Sequence, residues 1–404
     1  MYLKSLSVET ICLSAQFLLT IFFIKFVILC FGISFYGEYI SAIALFAILS
    51  IIDIPLELRF AKKVSIINKN LRYRPLKYIY LLKLFTISVV LIFLCIWDFS
   101  RILLYSNAFI ITICVYFISS LQIYFNTLNF PKLGSVVLII YPLANSICIF
   151  CAYAFSFNST GFVLLSILLN FLITIILGYF LYNKIFVNLS KFCSFNTFIK
   201  YLKYYISFSH SLLLVRVKFL IKQNAPILII NGISGPDMAG LYGIITKLIV
   251  LANSITAKVV FLSLPRLLQS RDIKNSQNRL EMLNTISKMM FILAPITIIL
   301  SVFYLDYLLE LFYNNWPKNN FNQFLIGLIL VSTIFSSLNG SLLLTSRSPL
   351  KVLYGLLSLE VVLIIAISIA CLFDYYLLSV ILTIVLAFYL VENIIIYRNS
   401  HKIK

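Results

Sequence analysis

Acidic residues and histidine are scarce in this chain. Against 32 Lys and Arg there are 13 Asp and Glu and only 2 His. Membrane enzymes that polymerise polysaccharides or transfer acyl groups usually present their catalytic groups on a sizeable loop or in a His/Asp/Glu cluster. The longest loop predicted between apolar segments, roughly 306–322, has Asp306 and Glu310 but no histidine. A membrane enzyme is therefore the less favoured interpretation.

Other familiar signals are also absent. There is no Gly-rich loop of the kind that holds nucleotide phosphates, so we expect no ATP use and no cofactor. Cys148 and Cys151 form a C-x-x-C on an apolar segment without partner ligands, which indicates packing rather than metal or redox chemistry. No cleavable signal peptide is predicted, because Lys25 interrupts a first apolar run that is too long for a signal core.

Long apolar runs are what the sequence has in abundance. The chain is 62% hydrophobic with a mean hydropathy of +1.04, more than a soluble protein of this length can bury. Windows of about 20 residues predict an all-α integral membrane protein of about twelve transmembrane helices. The predicted spans lie near 8–31, 38–58, 77–96, 102–125, 134–155, 161–182, 205–231, 238–263, 287–305, 323–345, 350–373 and 375–397.

The net charge of +19 follows from how the basic residues are distributed. With the N-terminus placed in the cytoplasm, the outer loops hold only Arg101 and Lys318, whereas the inner loops and termini hold most of the Lys and Arg. This asymmetry predicts that both termini are cytoplasmic. It also predicts contact with anionic lipid headgroups rather than with nucleic acid. The densest inner loop contains Arg59, Lys62, Lys63, Lys69, Arg72, Arg74 and Lys77.

A short repeat divides the chain into halves. Gly32-Ile33-Ser34 and Gly232-Ile233-Ser234 lie 200 residues apart, each at the outer end of a span. Each is followed by an acidic residue and then by Tyr39 or Tyr242. We therefore predict a six-plus-six arrangement, residues 1–182 and 205–404, joined by a basic cytoplasmic linker at 183–204. Two such halves with substrate held between them are a standard transporter plan.

Basic residues also occur inside the spans, where each costs about 2.5–3.5 kcal/mol on insertion scales. Such residues normally face a wet cavity and mark a substrate path, and their positive sign favours an anionic cargo. From the helical rise, Lys25, Lys222 and Lys247 lie about 8–15 Å below the outer ends of their spans. The full set of predicted substrate-binding residues is Lys25, Lys222, Lys247, Lys258, Arg216 and Lys218.

The alternative is that these bases pair with acids inside the bundle or extend to the interface. Asp53 and Glu57 are placed to neutralise Arg216 or Lys258. Arg216 also points away from the face that Lys218 and Lys222 share, if their helix is regular. Glu360, deep in the eleventh span, is either an ion-coupling group or the partner of a lysine from another span.

The chain resembles the polysaccharide (O-antigen type) flippases of the multidrug/oligosaccharidyl-lipid/polysaccharide exporter superfamily. The resemblance lies in the twelve spans, in FGISFYGEY, in NAPILIINGISGPDMAGLYGIITKL and in PRLLQ at 265–269. It implies two six-helix lobes that form a V around a central cavity, in a bacterial inner membrane and in a pathway such as lipopolysaccharide biosynthesis. It also implies a polyprenyl-diphosphate-linked oligosaccharide as cargo, with a polysaccharide polymerase and a chain-length regulator as partners. Export of another organic anion or of a drug stays open, although a lysine-rich cavity repels cationic drugs.

Overall fold

The computed structural model describes residues 2–49, 101–127, 131–181, 214, 217–250, 295, 297–299, 303–314, 316–317, 319–343, 349–373 and 377–400. Within these ranges the chain forms helices and short connections, and no strand occurs. The helices in chain order are α1 (Tyr2–Leu49), α2 (Ile102–Thr127), α3 (Pro131–Val137), α4 (Ile140–Ala154), α5 (Ser159–Leu181), α6 (217–233), α7 (236–250), α8 (303–312), α9 (Asn320–Leu343), α10 (Pro349–Ala370) and α11 (Leu377–Ser400).

Most of the described helices coincide with predicted spans. For α2, α5, α9, α10 and α11 the two sets of ends agree within three residues. Among the residues that the structure describes, four helical stretches are long and apolar enough to cross a membrane, Ser14–Ile48, Ser159–Phe180, Val352–Ala370 and Leu377–Asn399. The predicted third span, 77–96, lies outside the described residues.

Two details of the predicted spans are wrong. The single span predicted at 134–155 is two helices, α3 and α4, separated by a turn at Leu138 and Ile139. The outer loop predicted at 306–322 begins too early, because Asp306 and Glu310 lie on α8. Asn319 marks the true start of the next helix, since its side-chain Oδ1 accepts a hydrogen bond of 2.9 Å from the Phe321 N–H.

Glycine marks the break between the first two helices of each half. Gly32 interrupts α1 with φ 86° and ψ 166°, a backbone region open essentially to glycine alone. Gly235 separates α6 from α7 with φ 92°. Gly232, which the Gly-Ile-Ser match aligns with Gly32, instead lies within α6. The tripeptide register is therefore wrong, and the structural equivalent of Gly32 is Gly235.

The corrected register also aligns the helices that follow. Tyr39 and Tyr242 each come seven residues after the positive-φ glycine of their half, and both are buried. Pro236 directly follows Gly235 and opens α7, a position where its missing N–H leaves no hydrogen bond unmade. The repeat is thus real at the level of a glycine break followed by a buried tyrosine, shifted by three residues from the sequence match.

The chain divides into two compact units, Met1–Leu220 and Ile221–Lys404. In the first unit, α5 packs along α2 and α4 packs along α1. In the second unit, α11 packs against both α9 and α10. Leu168, Ile176 and Tyr179 project from the outer face of α5 and are largely exposed, as expected for a helix that faces lipid.

Candidate functional site

A buried ion pair lies in the second unit, between Lys222 on α6 and Glu392 on α11. The Lys222 ammonium donates a hydrogen bond to Oε2 of Glu392. The side chains are only 9% and 3% exposed. Ser336 on α9 donates to the other carboxylate oxygen, Oε1, at 2.9 Å. The carboxylate therefore has a partner on each oxygen, as a charge held in a low-dielectric interior requires.

Tyr389 completes the surroundings of the lysine. It lies one turn before Glu392 on α11, and Lys222 Nζ is 3.2 Å from its ring centroid. A desolvated cation over an aromatic face is stabilised by about 2 kcal/mol. We call Lys222, Ser336, Tyr389 and Glu392 the Lys222 cluster. Its members come from α6, α9 and α11, so its geometry depends on the packing of three helices.

Polar contacts along the α9–α11 seam hold this geometry. Asn393 Nδ2 donates to the Ser332 carbonyl at 2.9 Å, directly beside the Lys222 cluster. Ser379 Oγ donates to Asn322 Oδ1 at 2.6 Å farther along the same two helices. Because these contacts fix both the rotation and the register of α11 on α9, they set the direction in which Glu392 points.

A second carboxylate is buried in the same unit. Glu360 on α10 is 2% exposed. It lies within electrostatic range of Tyr389, on α11, and of Tyr242, on α7. Tyr242 is in turn within range of Tyr389. The second unit therefore gathers ionisable side chains from α6, α7, α10 and α11 around one pair of tyrosines.

The structure describes four of the six predicted substrate-binding residues. Lys222 and Lys247 belong to the second unit, and Lys25 and Lys218 to the first. Lys247 is half-buried on α7, between Thr246 and Leu248, which are both buried. Within the described part of the chain neither Lys25 nor Lys247 forms an ion pair. Arg216, Lys258, Asp53 and Glu57 lie outside the described residues.

Glu392 is the residue of this candidate site that the sequence analysis missed. It lies inside the predicted span 375–397, but only five residues from its end, where an acidic side chain is typical of the interface. The available signal was its spacing from Tyr389, which places both on one face of the helix. Hydropathy does not report which face of a span turns toward a lysine 170 residues earlier in the sequence.

The first unit buries a polar network of a different kind. Asn107 on α2 accepts a hydrogen bond of 3.0 Å from Ser166 Oγ on α5. Asn170, one turn along α5, donates to Asn145 Oδ1 on α4 at 3.4 Å. Tyr39 lies within range of Ser166. This neutral network, Asn107, Asn145, Ser166 and Asn170, contains no Asp, Glu, Lys or Arg.

The two units thus place different chemistry beside equivalent tyrosines. Tyr39 of the first unit is near amides and hydroxyls, whereas Tyr242 of the second is near Glu360 and Tyr389. Within the described residues no group of three or more His, Cys, Asp and Glu side chains is arranged to hold a metal ion. The charged chemistry that the structure describes in the helix interior is concentrated in the second unit.

No protein-family model and no curated protein matches the sequence. Solved structures do match. One is described as the inward-facing conformation of a multidrug resistance MATE family transporter of the MOP superfamily. It has a TM-score of 0.62 at 12% identity, over 95% of this chain and 93% of that one. Another, a MATE in complex with MaL6, has a TM-score of 0.60 at 12% identity, over 98% of this chain and 95% of that one. The chain therefore has the fold of these transporters, which confirms the predicted all-α membrane protein of about twelve helices in two lobes.

Proposed function

We propose that this protein is a flippase for a polyprenyl-diphosphate-linked oligosaccharide, such as an O-antigen-type repeat unit. The fold it shares with MATE transporters supports a membrane exporter. The cargo is inferred from the sign of the charges within the spans. Alternating access would carry the diphosphate headgroup from the cytoplasmic to the outer leaflet while the polyprenyl tail stays in lipid.

The position of Lys247, deep along α7, is the observation that carries this proposal. It lies about 16 Å along α7 from the start of that helix, and it has no ion-pair partner among the described residues. A cation at that depth with no counter-charge among the described residues favours an anionic ligand over a cationic one. Lysine also suits a transporter because it is a flexible point charge, which binds phosphate without a rigid bidentate geometry.

The other predicted residues extend the same proposal. Lys25, Lys218, Arg216 and Lys258 would add positive charge along the headgroup path, and Asp53, Glu57 and Glu360 would serve as coupling or ion-pairing groups. We place the protein in a bacterial inner membrane with both termini cytoplasmic. The two lobes, 1–182 and 205–404, would move about the linker 183–204. A polysaccharide polymerase and a chain-length regulator are the proposed partners.

Transport into proteoliposomes tests the cargo. The substrate is a short-chain prenyl-diphosphate-linked disaccharide that carries a fluorophore on the sugar, and a membrane-impermeant quencher reports which leaflet holds it. We expect Lys247→Ala to slow flipping at least about tenfold, since it removes an interaction with the moving charge. Arg398→Ala, at the exposed end of α11, is the matched control and should flip at the wild-type rate.

Drug export is the alternative that the same fold accommodates, because one of the similar structures is a multidrug transporter. The same vesicles can be loaded with a fluorescent cationic dye. If the dye moves faster than the lipid-linked sugar, and still moves in the Lys247→Ala variant, the protein is a drug exporter and the flippase proposal is wrong. Movement of the labelled lipid only, sensitive to Lys247→Ala, would support the flippase.

A further inference from the structure

The neutral network of the first unit leaves part of its hydrogen-bonding capacity unused. Asn107 accepts from Ser166 through Oδ1, but its Nδ2 has no hydrogen-bond partner among the described residues. Asn170 Nδ2 donates to the Ser166 carbonyl at 2.9 Å, which fixes the orientation of the amide. The Oδ1 of Asn170 likewise has no partner in the described part of the chain. The four side chains of the network are at most 3% exposed, so bulk solvent does not reach them.

Two tyrosine hydroxyls belong to the same interior. Tyr39 lies close to Ser166 and to Tyr141, and Tyr36 is within electrostatic range of Tyr39. Neither the Tyr36 nor the Tyr39 hydroxyl forms a hydrogen bond within the described residues, although both side chains are buried. Unpaired buried polar groups are rare in folded proteins, because each has given up its hydrogen bonds to water. A partner from outside the chain is therefore expected here.

The unused groups define the chemistry of that partner. Asn107 Nδ2 can only donate, Asn170 Oδ1 can only accept, and a tyrosine hydroxyl can do either. A metal cation would satisfy the oxygens but not the amide N–H, and an anion would satisfy the N–H but not the amide oxygen. No charged side chain belongs to the network to balance either kind of ion. The ligand must therefore be small, neutral and able to donate and accept at once.

We propose that the neutral network binds a water molecule as a permanent part of the first unit's interior. The water accepts from Asn107 Nδ2, donates to Asn170 Oδ1 and exchanges a hydrogen bond with the Tyr39 hydroxyl. A buried water typically makes about three such bonds to otherwise unpaired groups. Ser166 marks the place, because Asn107 and Asn170 both bond its hydroxyl and Tyr39 lies close to it.

This water joins three helices of the first unit. Asn107 lies on α2, Asn170 on α5, and Tyr39 on the part of α1 that follows Gly32. Beside Tyr242, the equivalent tyrosine of the second unit, the neighbours are instead Glu360 and Tyr389. Water thus takes in one unit the place that ionisable side chains take in the other. The inference does not depend on the cargo of the proposed function.

Radiolytic footprinting of the full-length protein in phosphatidylcholine nanodiscs tests the site. Short X-ray pulses split water, the hydroxyl radicals oxidise the side chains beside each water molecule, and mass spectrometry of the peptides measures the oxidation. Phe162 is the internal control, because its ring lies 6.1 Å from that of Tyr39 and is 0% exposed. After correction for ring reactivity, we expect Tyr39 to be oxidised at least about tenfold faster than Phe162.

The wild type alone can overturn the proposal. Oxidation of Tyr39 as slow as that of Phe162 means a dry interior, and oxidation of both at the faster rate means entry of bulk water. A Tyr39 rate that changes when sodium and potassium ions are replaced by N-methylglucamine means that a cation occupies the site. Each of these results contradicts a bound water.

Asn170→Leu is the variant that tests the assigned ligands. It removes the acceptor, so we expect the oxidation rate of Tyr39 to fall to that of Phe162. Asn399→Leu is the matched control, because Asn399 donates to the Ile395 carbonyl of its own helix in the second unit, and it should leave the Tyr39 rate unchanged. A Tyr39 rate that persists in Asn170→Leu would place the water elsewhere and overturn this site.

Discussion

At the residue scale, the Lys222–Glu392 pair decides the stability of the second unit's interior. Removing one partner of a buried ion pair leaves an uncompensated charge, which typically costs about 3–5 kcal/mol. We expect Glu392→Ala to lower the free energy of unfolding by about that amount. The double replacement K222M/E392L removes both charges and should recover most of it. Denaturant unfolding in detergent measures both, and a double variant as unstable as the single one would contradict this account.

Ser336 allows a finer measurement at the same site. Its hydroxyl donates to a charged oxygen, and such hydrogen bonds contribute about 1.5–3 kcal/mol. We expect Ser336→Ala to destabilise the protein within that range. Ser358 is the matched control, because its exposed hydroxyl donates only to the Gly355 carbonyl of its own helix. Equal losses for Ser336→Ala and Ser358→Ala in the same unfolding assay would show that Glu392 does not depend on this donor.

At the scale of the helix, the positive-φ glycines make a prediction about alanine substitution. A Cβ added at Gly32, Gly232 or Gly235 meets no atom within 4 Å, so the effect is purely one of backbone conformation. At Gly32 and Gly235 alanine is strained by about 1–3 kcal/mol. At Gly232, inside α6, alanine should be neutral or stabilise the helix by up to about 1 kcal/mol.

Thermal melts of the three variants measure this difference. We expect Gly32→Ala and Gly235→Ala to melt earlier than the wild type, and Gly232→Ala to melt at the same temperature or later. If Gly232→Ala instead melted earlier than Gly235→Ala, the alignment of Gly32 with Gly232 that the Gly-Ile-Ser match indicates would be the correct one. Variants that all melt alike would mean that neither glycine break is strained by a side chain.

The sequence predicted helices better than it predicted their contacts. Apolar windows place α2, α5 and α9 to α11 within three residues, because membrane insertion depends on the composition of a whole segment. The break between α3 and α4 was missed because Leu138 and Ile139 are as apolar as their neighbours. The pairing of Lys222 with Glu392 was missed because hydropathy contains no information on helix rotation or on which spans touch.

At the scale of the whole molecule, the distribution of basic residues predicts the orientation in the membrane. We expect a fluorescent protein fused after Lys404 to fluoresce, since it folds in the cytoplasm. A periplasmic phosphatase reporter inserted beside Lys318 should be active. The reversed pair of results would contradict the cytoplasmic placement of both termini. A matched phosphatase insertion in the linker 183–204 should be inactive.

The unlike interiors of the two units have a consequence for their response to pH. Amides and hydroxyls such as those of Asn107, Asn170 and Ser166 hold the same charge at any physiological acidity. The buried carboxyl groups of Glu360 and Glu392, in contrast, belong to a class of side chain that can gain a proton and lose its charge. Among the buried side chains that the structure describes, carboxylates therefore occur in the second unit only. A change of pH can therefore alter the charge of the second unit's interior while the amides and hydroxyls of the first unit's interior keep theirs.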